Sequence, residues 1–359
     1  MKPPSHPSRS KILFICGSLN QTTQMHQIAR ELPEHDHFYT PYYGHGTIEA
    51  LRRARMLEFT VLGYKLRQRC LDYLARHRLP LDVHGRARAY DLVLTCSDLI
   101  VPRNIRRHRV VLVQEGILDP AGLAFRLCHG LPFLPLWLAG TATTGLSHRY
   151  ERFCVASHGY RDLFVANGVR PERIAVTGIP NFDDCRRYER NDFPHRHFVL
   201  VCSSDARETF KRDDRRAFLE RCLAITGSRQ LIWKLHPNEN VARATREIQE
   251  LAPGALVYAS GCAEEMIANC DVLITQYSST AFVGVALGKE VHSYFGAVEL
   301  RRLLPLQNRA AARNIAAVCR ELLSGKQTPG AKLLWLGGRR AARAARPSRV
   351  AALLRSRVR

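Results

Sequence analysis

A chain of 359 residues, 46% of them hydrophobic, is too long for one ordinary core and suits two domains of about 150 residues each. No apolar run reaches the eighteen or so residues that cross a bilayer, and the best candidate, Leu131-Pro-Phe-Leu-Pro-Leu-Trp-Leu-Ala139, is short and broken by prolines. The eleven cysteines stand singly without a Cys-x-x-Cys pair, and the formal charge of +22 comes mostly from scattered arginine without a nucleic-acid motif, which argues against a disulfide framework, a metal site and a nucleic-acid partner.

Residues 1–10 are polar and proline-rich, so a disordered start without the apolar core of an export signal is expected, and with it a cytoplasmic location. Lys11-Ile-Leu-Phe-Ile-Cys16 then reads as a buried strand that ends at Gly17-Ser18, with a helix over 21–30. This is a Rossmann-like βα opening, although one glycine falls short of the dinucleotide fingerprint. An amphipathic, Arg-rich helical stretch over 48–78 precedes strands at 91–96 and 109–114, and the second of these runs directly into Glu115-Gly116. A strand at 152–156, a helix around 162–166 and a strand at 173–177 follow. Strands alternating with helices predict a parallel sheet covered on both faces.

Gly178-Ile-Pro-Asn-Phe-Asp-Asp184 interrupts the alternation and marks a junction. The expected first domain is 11–180 and the second 181–325. The second restarts with a strand at 197–202 and a polar loop holding Arg207, then continues with strands at 230–235, 255–259 and 271–275 and a helix over 300–323 that is expected to return across the junction. Residues 326–359 form a basic tail; from Gly338 onward it carries arginine and no acid, and it reads as a helix able to lie on an anionic membrane surface.

Three clusters carry chemistry. Leu231-Ile-Trp-Lys-Leu-His-Pro-Asn-Glu-Asn240 and Asp271-Val-Leu-Ile-Thr-Gln-Tyr-Ser-Ser-Thr280 are apolar strands that stop in polar residues. Both clusters are expected at the carboxyl ends of neighbouring strands, the edge where open α/β sheets bind ligands. Lys234, His236, Ser278, Ser279 and Thr280, with Arg207 outside them, are the candidate nucleotide and phosphate contacts, together with Gly17 and Ser18 at the first polar strand end. Glu115, at a strand tip beside Gly116, is the candidate general base for an acceptor hydroxyl, with Asp119 in reserve.

The order Glu115-Gly116, His236-Pro237, Ser278-Ser279 resembles the motif set of bacterial sialyltransferases and of the CDP-glycerol glycerophosphotransferase family. That resemblance implies α/β GT-B architecture, two Rossmann-like domains facing across a cleft, here with a basic helical tail. It implies a metal-independent enzyme without a cofactor that transfers a sugar or polyol phosphate from a CMP-, CDP- or UDP-activated donor to a cell-surface glycan or lipid-linked acceptor, working in the cytoplasm or peripherally on the inner membrane face. Ser203-Ser-Asp-Ala-Arg-Glu-Thr-Phe-Lys211 is similar to the first loop of the nucleotide domain in the glycerophosphotransferase family. The chain departs from both patterns at the base: Gln114 stands where the sialyltransferases have a first acid, and Glu115 where the glycerophosphotransferases have His. Glu115-Gly116 is also similar to the Glu-Ala-Gly of UDP-N-acetylglucosamine 2-epimerases, whose Ser-Gly-Gly is replaced here by Ser-Ser-Thr. A nucleotide-sugar epimerase and a non-catalytic nucleotide-sugar-binding protein are therefore the alternative readings.

Overall fold

The computed structural model describes residues 9–58, 60–131, 133–204, 206–208 and 213–325. The basic tail expected over 326–359, and all but two residues of the disordered start expected over 1–10, lie outside the described residues. The chain divides into two compact units, one made of residues up to Asn181 together with those from Arg309 onward, the other Phe182–Asn308.

The first unit is built on β1 (Lys11–Cys16), α1 (Leu19–Arg30), β2 (Asp36–Pro41), α2 (Thr47–Arg53), α3 (Tyr64–Arg76), β3 (Leu92–Thr95), β4 (Val110–Val113), α4 (Leu123–Gly130), β5 (Arg152–Val155), α5 (His158–Ala166) and β6 (Ile174–Val176). Its six strands run in the order β2-β1-β3-β4-β5-β6, and every pairing is parallel. The apolar runs fill both faces of the sheet: Ile12, Phe14, Leu92, Leu94, Val111 and Val113 on one face are buried in one cluster with Met25 and Ile28 of α1, and Leu13, Ile15, Val93 and Leu112 on the other are buried as well. Ser18 and Ser157 start α1 and α5 by accepting hydrogen bonds from the backbone N–H groups of Gln21 and Tyr160.

The second unit comprises β7 (Val199–Cys202), α6 (Arg215–Thr226), β8 (Leu231–Lys234), α7 (Val241–Leu251), β9 (Leu256–Tyr258), α8 (Ala263–Asn269), β10 (Val272–Thr275), α9 (Thr280–Ala286), β11 (Glu290–His292) and α10 (Ala297–Leu303). Its strands are ordered β11-β10-β7-β8-β9, again all parallel. Val199, Val201, Trp233, Val272 and Ile274 form the core with Phe218 and Ile248 from the helices.

Strand order fixes where each unit binds. From β1 the chain adds β2 on one side and β3 on the other, so the first sheet reverses direction between β1 and β3. From β7 it adds β8 and β9 on one side and β10 and β11 on the other, so the second reverses between β7 and β10. Helices diverge to opposite faces at such a point and leave a crevice at the carboxyl edge.

Several expectations need correction. β2 and β11 were not anticipated, and the helical stretch over 48–78 is two helices separated by turns that end at Gly63. The expected helix over 300–323 is also two, α10 and α11 (Ala311–Leu323), parted by the segment containing Pro305, which lacks the N–H a helix interior needs. α11 buries Ile315, Ala316, Cys319 and Leu322 in the core of the first unit, so the second unit stops at Asn308 where the expected domain ran to 325. β8 and β10 are not neighbours, because β7 lies between them. Among the described residues no helix is long and apolar enough to cross a membrane.

Candidate functional site

In the first unit the polar strand ends converge on Glu115. Ser18 Oγ donates to Glu115 Oε1 at 2.8 Å, Gln21 Nε2 to Oε2 at 2.6 Å and Asn20 Nδ2 to Oε1 at 3.5 Å. The carboxylate that follows β4 thus reaches over the end of β3 to the start of α1, at the reversal point of this sheet. Asn20 is itself held from below, since Asn181 Nδ2 donates to its carbonyl oxygen at 2.7 Å while Asn181 Oδ1 accepts from Gln27 Nε2 at 2.7 Å. Gly17 keeps the arrangement open: a Cβ there would stand 2.1 Å from Gln21 Oε1, so a side chain would push the Gln21 amide off the carboxylate.

Gln114 and Asp119, on either side of Glu115, make their own contacts. Gln114 is 1% exposed; its Nε2 donates to the Gly116 carbonyl and its Oε1 accepts from Ala156 N, both at 2.9 Å. Asp119 Oδ2 accepts from Thr141 Oγ1 at 2.8 Å and from Thr141 N at 3.2 Å, and its own N–H donates back to Thr141 Oγ1 at 2.7 Å. This closed exchange ties two loop segments together.

In the second unit the His-Pro turn is clamped by Glu239, whose side chain accepts from His236 N at 2.7 Å, from Ser203 Oγ and from Arg215 Nη2. His236 Nδ1 accepts from Asn238 N at 3.2 Å, and a neutral ring in that arrangement carries its proton on Nε2. Lys234 turns inward: it is 6% exposed, its Nζ donates to the Leu235 carbonyl at 2.9 Å, and burial lowers its pKa. Arg207 forms a two-pronged pair with both Glu247 oxygens at 2.8 Å. Lys234 is thus turned inward, while Arg207, its side chain 31% exposed, is paired with an acid.

At the end of β10, Ser278 Oγ accepts from Thr280 N at 3.3 Å and from Thr280 Oγ1 at 2.9 Å, while Ser279 precedes α9 without a side-chain cap bond. All three hydroxyls are partly exposed. Ser204 Oγ donates to Gln276 Oε1, and Gln276 Nε2 donates to Asp213 Oδ1 at 2.9 Å and to Tyr294 OH at 3.3 Å. Tyr277 and Tyr294, 45% and 44% exposed, meet edge to face with centroids 5.1 Å apart. The ends of β7, β10 and β11 therefore offer hydroxyls and partly exposed aromatic rings at the reversal point, with His236 two strands away from Ser278, about 10 Å by ordinary strand spacing.

No protein-family profile matches the chain, and no curated protein matches it in sequence. Solved structures do match. A protein from Listeria monocytogenes assigned as a UDP-N-acetylglucosamine 2-epimerase superposes with a TM-score of 0.51 at 14% identity, covering 89% of each chain. The wall teichoic acid polymerase TagF gives 0.47 at 9% identity, covering 89% of this chain and 90% of that one. HepE of Anabaena in complex with UDP gives 0.47 at 15%, covering 87% and 90%. The chain has the GT-B fold.

Within that fold, sequence reading missed Gln21, Asn20, Glu239, Gln276, Tyr277 and Tyr294. Two left a local signal. Ser18-Leu-Asn-Gln21 has capping-box spacing, yet the Gln21 side chain leaves the box and turns to Glu115. Glu239 lies three residues after His236 and reaches back to its N–H.

Proposed function

We propose that this GT-B chain is a transferase that moves a sugar or polyol phosphate from a cytidine- or uridine-activated donor to a glycan or lipid-linked acceptor of the cell envelope. The observation that carries this reading is the carboxyl edge of the second sheet, where the half-exposed Tyr277 and Tyr294, packed edge to face, follow β10 and β11 close in sequence to the partly exposed Ser278 and Thr280 at the β7/β10 reversal. Aromatic faces suit a pyrimidine ring, and hydroxyls with an Nε2–H imidazole suit phosphate oxygens. A nucleoside diphosphate ester is long enough to extend from Ser278 past Ser204 towards His236. The resemblance of the His-Pro and Ser-Ser motifs to the CDP-glycerol glycerophosphotransferase family is in keeping with such a donor.

Glu115 takes the role of base. Three donors fix its orientation and leave about one of the four lone-pair sites of a carboxylate for an acceptor hydroxyl. Asp119, committed to Thr141, is the weaker candidate. No resident metal is needed in this scheme, since hydroxyl and imidazole donors stabilise the leaving phosphate.

Incubating the protein with CMP-, CDP- and UDP-activated donors, with and without extracted envelope glycan, tests this. Nucleotide release that depends on acceptor supports the transferase. Conversion of the sugar without acceptor replaces it with an epimerase, and binding without turnover replaces it with a non-catalytic binder.

A further inference from the structure

The segment after Glu115 has an apolar surface that the transfer reaction does not use. Leu123, Leu127, Leu131, Phe133, Trp137 and Leu138 are 66%, 47%, 40%, 77%, 45% and 48% exposed. Large apolar side chains at this density belong in a core, yet α4 buries only Cys128. Leu123 and Leu127, four residues apart, share one stripe of the helix, Leu131 follows directly at its C-cap, and the short 3-10 segment Leu136–Thr143 that carries Trp137 lies against α4. A contiguous patch of this kind on a water-soluble surface marks a binding face.

Its charge surroundings select the occupant. Residues 120–150 contain no acidic side chain, and Arg126, His129 and Arg149 are exposed among them. The nearest preceding acid, Asp119, is engaged with Thr141. A protein groove that received this stripe would need complementary polar groups at its rim, whereas an apolar stripe edged by cations, with a tryptophan among its members, matches the layering of an anionic lipid surface: acyl chains below, headgroup phosphates beside.

We propose that α4 and the segment over 131–138 form a membrane-docking face that inserts Leu127, Phe133 and Trp137 into the headgroup boundary of an anionic bilayer. This face is separate from the basic tail. It would hold Glu115, which leads directly into it, at the height where lipid-linked glycans present their hydroxyls.

The test uses the full chain and vesicles of phosphatidylglycerol with phosphatidylethanolamine, at about 0.5 M salt so that purely electrostatic attraction through the tail is screened. Trp137 serves as the reporter, read as the difference between wild type and Trp137→Phe, which cancels the emission of the fully buried Trp233 and of Trp335 in the tail. Its emission is expected to shift to shorter wavelength and to be quenched by lipids brominated near the headgroup. The double variant Leu127→Glu, Phe133→Glu, whose sites are exposed and carry no fold contacts of weight, is expected to lower the vesicle-bound partition at least about tenfold. Unchanged pelleting of the double variant, an unshifted Trp137 spectrum on bound vesicles, or a dimer that the double variant disperses without any vesicle uptake would each overturn the proposal.

Discussion

Gly17, Ser18, Asn20 and Gln21 determine where the Glu115 carboxylate points, so a mutation can separate its chemistry from its placement. Glu115→Gln keeps the shape and removes the basicity; the rate with a cognate donor and acceptor is expected to fall about 10²–10⁴-fold while nucleotide affinity stays unchanged. Gly17→Ala keeps the carboxylate and displaces Gln21, whose oxygen lies 2.1 Å from the new methyl position. Losing one charge-assisted hydrogen bond is expected to cost about ten- to a hundredfold in the same rate. Steady-state kinetics of both variants decide it. An active Glu115→Gln removes the base, and a fully active Gly17→Ala removes the positioning role of Gln21.

His148 gives a pH dependence at the same scale. Burial, then the nearby charges of Arg170 and Arg173, lower its pKa from 6.5 to about 4. Between those values the unfolded chain holds a proton that the folded chain refuses, so stability is complete above about pH 6.5 and is lost as pH falls towards 4. Burial lowers His26, His37, His45 and His84 in the same direction. Because water still reaches part of the His148 ring, its own contribution between pH 7 and 5 is set at about 1 kcal/mol. His148 has φ 52°, a conformation that Asn tolerates. His148→Asn is therefore expected to flatten the loss by that amount in urea titrations at the two pH values, and an unchanged slope would clear this residue.

At the scale of elements, Glu239 joins the ends of β7 and β8. Its side chain is fully buried against Arg215, so Glu239→Gln takes the nearest carboxylate from a buried guanidinium whose other acidic contacts among the described residues are longer, to Asp213 and Glu247 at 3.7 and 3.8 Å. The expected loss is about 2–4 kcal/mol in chemical denaturation, together with a looser His236 turn; a change below about 1 kcal/mol would show that the clamp is not needed. The strands legible in the sequence were the apolar runs: KILFIC, VVLV and VLIT at the sheet centres, and also IAV and LVY at two of the sheet edges. The two missed strands, DHFYTP and EVH, lie at the other two edges and mix polar and charged residues into the run, as a half-solvated edge permits. Glu115, His236 and the Ser-Ser-Thr cluster were readable because each ends such a run. The inward turn of Lys234 and the pairing of Arg207 were not legible, because a residue type does not reveal whether its charge is turned inward or already paired.

For the whole molecule, the sheet of the first unit is completed by chain that follows the second. Ile315, Ala316, Cys319 and Leu322 of α11 share a core with Ile12, Phe14 and Met25. Ending the chain at 308 is therefore expected to unfold or strongly destabilise the first unit, by several kcal/mol at about 1.5–3 kcal/mol per large buried apolar side chain. Ending it at 325 should leave thermal unfolding unchanged; equal melting of the two truncations would contradict the assignment of α11. The central claim, however, is that the carboxyl edge of the second sheet holds a pyrimidine nucleotide, and calorimetric titration of the full chain with CDP and UDP tests it most directly. The account predicts saturable binding of at least one of them, one nucleotide per chain, weakened about ten- to a hundredfold in a folded His236→Ala variant. Absence of binding by either nucleotide, or an affinity that His236→Ala leaves unchanged, would contradict it.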